Sequence, residues 1–250
     1  MDLIYGLPLQ TAQSFIATLD RVLEAQPDRL SVFNYAHLPE RFKPQRRINE
    51  AELPSPDQKL QMLQQIGEHL AKAGYVYIGM DHFARPDDEL AVAQREGHLY
   101  RNFQGYSTHA NCDLVAMGVT SIGMIDNTYA QNMRTLDEYY ARIDAGELAV
   151  FRGVALTHDD ELRRAVITEL ICNFVLDTQA IARAWDIRFD QYFADEMRRL
   201  SSMAQDGLLS IDGPHIEVLP AGRLLIRNIC MVFDRYLADS RQQGRFSKVI

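Results

Sequence analysis

A strand-forming apolar run, Leu3-Ile4-Tyr5, stands at the start of the sequence and stops at Gly6-Leu7-Pro8. From Thr11 onward Phe15, Leu19, Val22 and Leu23 recur at helical spacing. The pattern then repeats. Residues 30–35 read as a second strand, a charged loop follows Ala36-His37-Leu38-Pro39, a helix is predicted over 55–72 with Pro56 in its first turn, and 75–78 read as a third strand. This alternation constrains the fold most, because it argues for a parallel sheet with crossover helices, as in a complete or partial β/α barrel. A first strand at residue 2 should have a neighbour on each side, and so few β/α units cannot close a barrel. The expectation is an incomplete barrel whose missing amino-terminal half lies elsewhere, or a sheet that pairs with another polypeptide.

Regularity falls between residues 81 and 128, where a polar helix is expected near 88–96. The small-residue stretch Met117-Gly118-Val119-Thr120-Ser121-Ile122-Gly123-Met124 suits short strands, and its glycines serve either as turns or as points where backbone approaches a ligand. The sequence divides into two expected domains, 1–150 and 151–250. The second reads as helices over 159–173, 178–185 and 189–205, a hairpin turning at Asp212-Gly213-Pro214, and a final helix over 221–238. Helices followed by a two-stranded wing suggest a mainly helical, winged-helix-like domain. The helix over 189–205 sets Asp190, Asp195 and Glu196 beside Arg198 and Arg199, which favours a structural or lid role over DNA binding.

The formal net charge of −8 also argues against a nucleic-acid partner. No apolar run approaches the roughly 20 residues of a membrane span, and no leader-like start is evident, so a cytoplasmic protein without a membrane partner is expected. The three cysteines, Cys112, Cys172 and Cys230, are odd in number and far apart, which fits reduced buried thiols rather than disulfides or a metal motif. His37 and His109 stand in different segments and do not suggest zinc.

Several segments carry a more specific signal. Asp2-Leu3-Ile4-Tyr5-Gly6-Leu7-Pro8, Phe33-Asn34-Tyr35-Ala36-His37-Leu38-Pro39, the stretch from Gly79-Met80-Asp81-His82-Phe83-Ala84-Arg85-Pro86 to Ala91, and Arg101-Asn102-Phe103-Gln104-Gly105-Tyr106 together resemble the oxygen-independent coproporphyrinogen III oxidases. The similarity continues through Leu170-Ile171-Cys172-Asn173-Phe174 and Arg223-Leu224-Leu225-Ile226-Arg227-Asn228-Ile229-Cys230-Met231 to Phe246-Ser247-Lys248-Val249-Ile250. The resemblance implies a radical S-adenosylmethionine oxidoreductase of haem and porphyrin biosynthesis. Such an enzyme decarboxylates two propionates of coproporphyrinogen III to vinyl groups, giving protoporphyrinogen IX. It also implies a [4Fe–4S] cluster on a C-x₃-C-x₂-C motif, an electron donor, and two S-adenosylmethionine molecules. The cysteines here do not form that motif, so the expectation is a carboxyl-terminal fragment that is inactive alone.

The resemblance assigns cofactor-binding roles to particular residues. Asp2 would accept hydrogen bonds from the ribose of S-adenosylmethionine, and Ile4, on the same strand face, would pack against a second molecule. Ala36, just past the second strand, would let backbone meet the cofactor. Gln104 and Ile122 match positions of the second cofactor site. Asp81, His82 and Arg85 read as one loop in which His82 and Arg85 either serve the substrate as a proton relay and carboxylate clamp or hold a hydrogen-bond network before a helix. Arg46 and Arg47 form a basic spot that meets substrate carboxylates or is merely solvated, and Arg245, Phe246 and Lys248 could fold back over the site. Two alternatives remain: a related haem-trafficking paralogue without oxidase activity, and a non-catalytic interaction module.

Overall fold

The computed structural model describes residues 1–110 and 112–237. Arg245, Phe246 and Lys248 lie outside them. Strand β1 (Asp2–Tyr5), helix α1 (Ala12–Glu24), strand β2 (Arg29–Asn34), helix α2 (Pro56–Lys72) and strand β3 (Val76–Gly79) follow in the order expected. Both helices start on reciprocal capping boxes, Thr11 with Ser14 and Ser55 with Gln58, and Pro56 opens α2 where its missing N–H costs nothing. Strands β1 and β2 are parallel, with Asp2 opposite Ser31 and Ile4 opposite Phe33.

The expectation of a parallel sheet is corrected at the next strand. Strand β4 (His82–Ala84) inserts between β2 and β3, antiparallel to both, so the order is β1-β2-β4-β3. The reading of Asp81, His82 and Arg85 as one loop is corrected with it, since His82 opens β4 while Arg85 lies past its end. Gly79 at φ +141° and Met80 at φ +56° turn the chain back immediately after β3. A Cβ on Gly79 would overlap the Tyr106 hydroxyl and lie 3.3 Å from the Ile171 carbonyl oxygen. The sheet stays open, with β1 and β3 as its edges.

One face of this sheet packs against α1 and α2 through Tyr5, Leu30, Val32 and Phe83 on the strands and Phe15, Leu19, Met62 and Ile66 on the helices. Among the described residues the other face is covered only at its β3–β4 end. There helix α3 (Glu89–Arg95), capped by Asp88, buries Leu90, Ala91 and Ala93 against Ile78, Ala84 and Cys172. The β1–β2 end of that face is left uncovered, and Ile4 and Phe33 are 47% and 38% exposed on it.

A hairpin follows, β5 (Tyr100–Asn102) and β6 (Gly105–Ser107). A second antiparallel sheet comprises β7 (Ile122–Ile125), β8 (Thr128–Asn132) and, after helix α4 (Leu136–Asp144), β9 (Val150–Ala155). The buried Asn132 amide donates to the Ala116 and Gly118 carbonyls, which satisfies it and pins the small-residue segment.

Helix α5 (His158–Asn173) starts on a Thr157–Asp160 capping box. It is followed by β10 (Val175–Asp177), α6 (Thr178–Trp185), α7 (Phe189–Tyr192), α8 (Ala194–Gln205), β11 (Leu209–Asp212), β12 (His215–Val218), α9 (Pro220–Leu224) and α10 (Ile226–Cys230). The expected hairpin is present but gains β10 as a third strand, in the order β10-β12-β11. The helix expected over 189–205 breaks at Phe193 (φ −107°, ψ 33°), whose buried ring meets Phe233 edge to face at 5.3 Å. The final helix, expected over 221–238, likewise breaks, at Leu225 (φ −108°, ψ 20°), and its second piece ends at Cys230. At Phe193 core packing outweighs helical continuity. Among the described residues no helix is long and apolar enough to cross a membrane.

The two glycines that α2 and β3 carry should respond oppositely to a methyl group. Gly79→Ala is expected to cost about 2 kcal/mol or more, from strain and overlap at once. Gly67→Ala, in α2 with nothing within 4 Å of the new Cβ, is expected to stabilise by up to about 1 kcal/mol. Urea unfolding of both variants checks the pair.

Candidate functional site

The uncovered end of the first sheet presents an ordered row. Strand register sets Asp2 beside Ser31 and Ser31 beside His82. Paired residues point to the same side, and Leu30 and Val32 point the other way into the helical core. Ser31 Oγ and His82 Nδ1 lie 3.3 Å apart. The next row holds Ile4 and Phe33, and the Phe33 ring meets the His82 imidazole edge to face at 6.2 Å. The face therefore offers a carboxylate, a hydroxyl and an imidazole next to two apolar side chains.

His82 also carries the row sideways. Its ring meets Tyr106 at 5.4 Å, and the Arg101 guanidinium lies 4.6 Å from the centre of the Tyr106 ring. Tyr106 Oη donates to the Ile171 carbonyl at 3.0 Å, which fixes it against α5, and burial raises its phenol. Burial, helped by the Arg101 charge and opposed by Asp2, lowers His82 from its ordinary value, so the imidazole is neutral at pH 7. Burial likewise raises the Asp81 carboxyl, against the pull of Arg227 and Arg101.

Beyond Arg101 a cavity of about 520 Å³ opens, within the range of small-molecule sites. Helix α5 forms one wall: Asp160, Arg163, Arg164, Ile167, Thr168 and Ile171 all line it, at the spacing of a single helical stripe. Leu162, Val166 and Leu170, on the opposite stripe, are buried in the carboxyl-terminal core. Phe103, Met124 and Tyr129 line the other side, and the segment 233–236 completes the cavity.

That last segment is held by a charged clasp. Arg163 donates to Asp159 at 3.0 Å, to Glu196 at 2.8 Å and to the Phe233 carbonyl at 3.0 Å. Arg235 donates to Asp159 at 2.6 Å, and Tyr236 Oη to Asp160 at 2.8 Å. Burial raises the Asp159 and Asp160 carboxyls, but Tyr192, Arg235 and Arg163 around the first and Thr157 and Tyr236 around the second outweigh it, and both end below the usual carboxylate range.

The residues singled out in the sequence are not equally close to this centre. Asp2, Ile4 and His82 share the uncovered face. Ala36 is exposed just past the end of β2, and its carbonyl accepts from Gln45 at 3.1 Å. Gln104 is at the exposed tip of the β5–β6 hairpin, and Ile122 opens β7. Arg85 is set apart from His82, bonded through its N–H to the Asp28 carbonyl and 3.6 Å from Asp87. Arg46 donates to the Pro39 carbonyl. Ser31, Tyr106 and Arg164 escaped the sequence reading; the one available signal was the stripe of polar residues on α5.

Residues 156–225, which include the cavity stripe, match the family described as HemN C-terminal domain. The oxygen-independent coproporphyrinogen III oxidase of Escherichia coli strain K12 is 57% identical over all of this chain, which covers 55% of that protein. The enzyme of the same name from Thermostichus vulcanus is 51% identical, again over the whole chain, which covers 77% of it. This chain belongs to the oxygen-independent coproporphyrinogen III oxidase family. A solved structure of the coproporphyrinogen III oxidase HemN from Escherichia coli, described as a radical SAM enzyme, superposes with a TM-score of 0.91 at 58% identity, covering 94% of this chain and 54% of that one. The chain thus spans about half the length of most curated relatives it matches.

Membership implies S-adenosylmethionine and a [4Fe–4S] cluster. The residues present do not fit the cluster. Cys172 and Cys230 are buried as expected, with burial pushing the Cys172 thiol up to about 12 and Cys230 up as well, so neither is a ready thiolate, whereas Cys112, expected to be buried, is exposed in another segment. The uncovered face does fit a nucleoside, because the exposed Asp2 carboxylate stands beside apolar Ile4 and Phe33.

The clasp has a pH signature. Its carboxyls are depressed in the folded state, so their contribution is full above the unfolded value of about 3.9 and is lost as pH falls through the lower folded values. The Asp159→Asn/Asp160→Asn double variant should melt lower than the parent at pH 7 and lose less stability between pH 5 and 3. Thermal melts followed by circular dichroism at the two pH values check this.

Proposed function

We propose that this chain forms the cofactor- and substrate-binding wall of an oxygen-independent coproporphyrinogen III oxidase, which oxidatively decarboxylates two propionates of coproporphyrinogen III to vinyl groups. The observation that carries the reading is the continuity of the site. The Asp2–Ser31–His82 row passes through Tyr106 to the Arg101-lined cavity, in a chain matched along its whole length by enzymes of that name.

In this reading residues 1–150 are part of an incomplete β/α barrel with its extension. Residues 151–250 are a mainly helical, winged-helix-like domain, supported by the order α5, β10, α6, α8, β11, β12. The cluster ligands and an electron donor come from outside these residues. Asp2 and Ile4, with Ala36, Gln104 and Ile122, hold S-adenosylmethionine, and two molecules are accommodated. When bound, it supplies the radical chemistry. Asp2 accepts from the ribose hydroxyls, Ile4 and Phe33 shield the adenine from water, and neutral His82, held by Ser31, faces the substrate side. Arg85 would turn from Asp87, 3.6 Å away, to meet a substrate carboxylate.

The chain alone is expected to be inactive. Incubation with iron and sulfide under reducing conditions should give no stoichiometric absorbance of a [4Fe–4S] cluster, and a full complement of cluster would overturn that expectation. Activity is tested in a chimera in which this chain replaces the matching segment of the Escherichia coli relative. The chimera should convert coproporphyrinogen III to protoporphyrinogen IX, read by chromatography after oxidation. Asp2→Asn in the chimera should weaken S-adenosylmethionine binding about tenfold or more, through loss of charge-assisted hydrogen bonds. A folded chimera with bound cluster but no conversion would sink the proposal.

A further inference from the structure

The four arginines that line the cavity are in two different states. Arg163 and Arg235 are neutralised by Asp159 and Glu196 and hold the clasp together. Arg101 and Arg164 are not matched in this way. Arg101 Nη1 is buried with no hydrogen-bond partner among the described residues, an arrangement that is costly unless something else accepts from it. The guanidinium stacks on Tyr106 instead of meeting a carboxylate. Arg164 reaches the Tyr129 hydroxyl at 3.3 Å and the Met124 sulfur at 3.5 Å, both weak acceptors, and its nearest carboxylate, Glu161, is 3.9 Å away.

The remaining surface of the cavity is mostly apolar. Phe103 and Tyr129 meet edge to face at 5.1 Å, and Met124, Ile167 and Phe233 add further apolar lining. Of the two acids that line it, Asp160 already accepts from Thr157 and Tyr236, and Asp234 accepts from the Tyr236 backbone N–H. A cavity of apolar walls with two under-neutralised guanidinium groups fits a flat apolar body bearing carboxylates, because each fork can take one carboxylate while the body displaces water.

We infer that Arg101 and Arg164 form a carboxylate clamp that grips propionates of a tetrapyrrole edge seated in this cavity. Arg101, through Tyr106, sets the gripped edge next to His82 and the cofactor face. The inference rests on the functional reading above for the tetrapyrrole, but the clamp itself rests on the two arginines.

The test is titration of the full chain with coproporphyrin III, the fluorescent aromatic form of the tetrapyrrole, followed by fluorescence anisotropy, with its tetramethyl ester as the uncharged partner. The acid should bind about tenfold or more tightly than the ester. Arg101→Gln and Arg164→Gln should each weaken acid binding by about tenfold and leave ester binding unchanged, and the corresponding lysine variants should fall between. Arg198→Gln, exposed on α8, should bind as the parent does. Should a glutamine variant fail to fold by far-UV circular dichroism, its lysine variant carries the comparison. Equal binding of acid and ester, or acid binding that ignores both substitutions, overturns the clamp. In the latter case tight binding of coproporphyrin III leaves the functional reading standing. Arginine-dependent binding of dodecanedioic acid without binding of coproporphyrin III upholds the clamp and overturns the tetrapyrrole reading.

Discussion

Helix α5 carries the constraint on which the rest of the molecule depends, because both of its faces are committed. Leu162, Val166 and Leu170 are fully buried in the carboxyl-terminal core, and the opposite stripe from Asp160 to Ile171 forms a cavity wall. Its carboxyl end reaches the first sheet. Cys172 packs under α3, Ile171 accepts from Tyr106, and Phe174, in a left-handed conformation at φ +59°, stacks on Tyr77 at 6.1 Å. A helix so placed cannot shift along its axis without breaking packing at one end and polar contacts at the other. The position of the cavity relative to the Asp2–Ser31–His82 row is therefore set by α5 and not by the loops between them.

Charge is distributed over the same helix to two ends. Asp159, Asp160 and Glu161 lie in its first turn, where acids suit the helix dipole, and the first two are then consumed by Arg163, Arg235, Tyr192 and Tyr236. The result closes the carboxyl-terminal segment 233–236 against the helix and removes two arginines from ligand binding. Arg164, one residue further round, is left facing aromatic and sulfur groups. Adjacent arginines in the sequence thus have separate tasks, one structural and one available to an anion.

Part of the geometry was legible in the sequence. The β-turn-α opening set Asp2 and Ile4 on one strand face. The Asp2–Ser31–His82 row was not legible, because it requires β4 to return between β2 and β3, and that return depends on the left-handed conformations at Gly79 and Met80. Helix breaks at Phe193 and Leu225 were equally hidden. Local propensity favours continuous helices there, and at Phe193 long-range packing on Phe233 decides against it.

The sequence by itself determined the element order over most of the chain, the helix starts at Thr11, Ser55 and Asp88, and the family, since capping, periodicity and motif strings are local properties of the chain. Only the tertiary structure decided which strands neighbour one another, which arginines are already paired, and that Arg101 meets His82 through Tyr106. Those facts join residues remote in sequence, and no local pattern encodes the burial that leaves Arg101 Nη1 without a partner among the described residues while Arg163 has three.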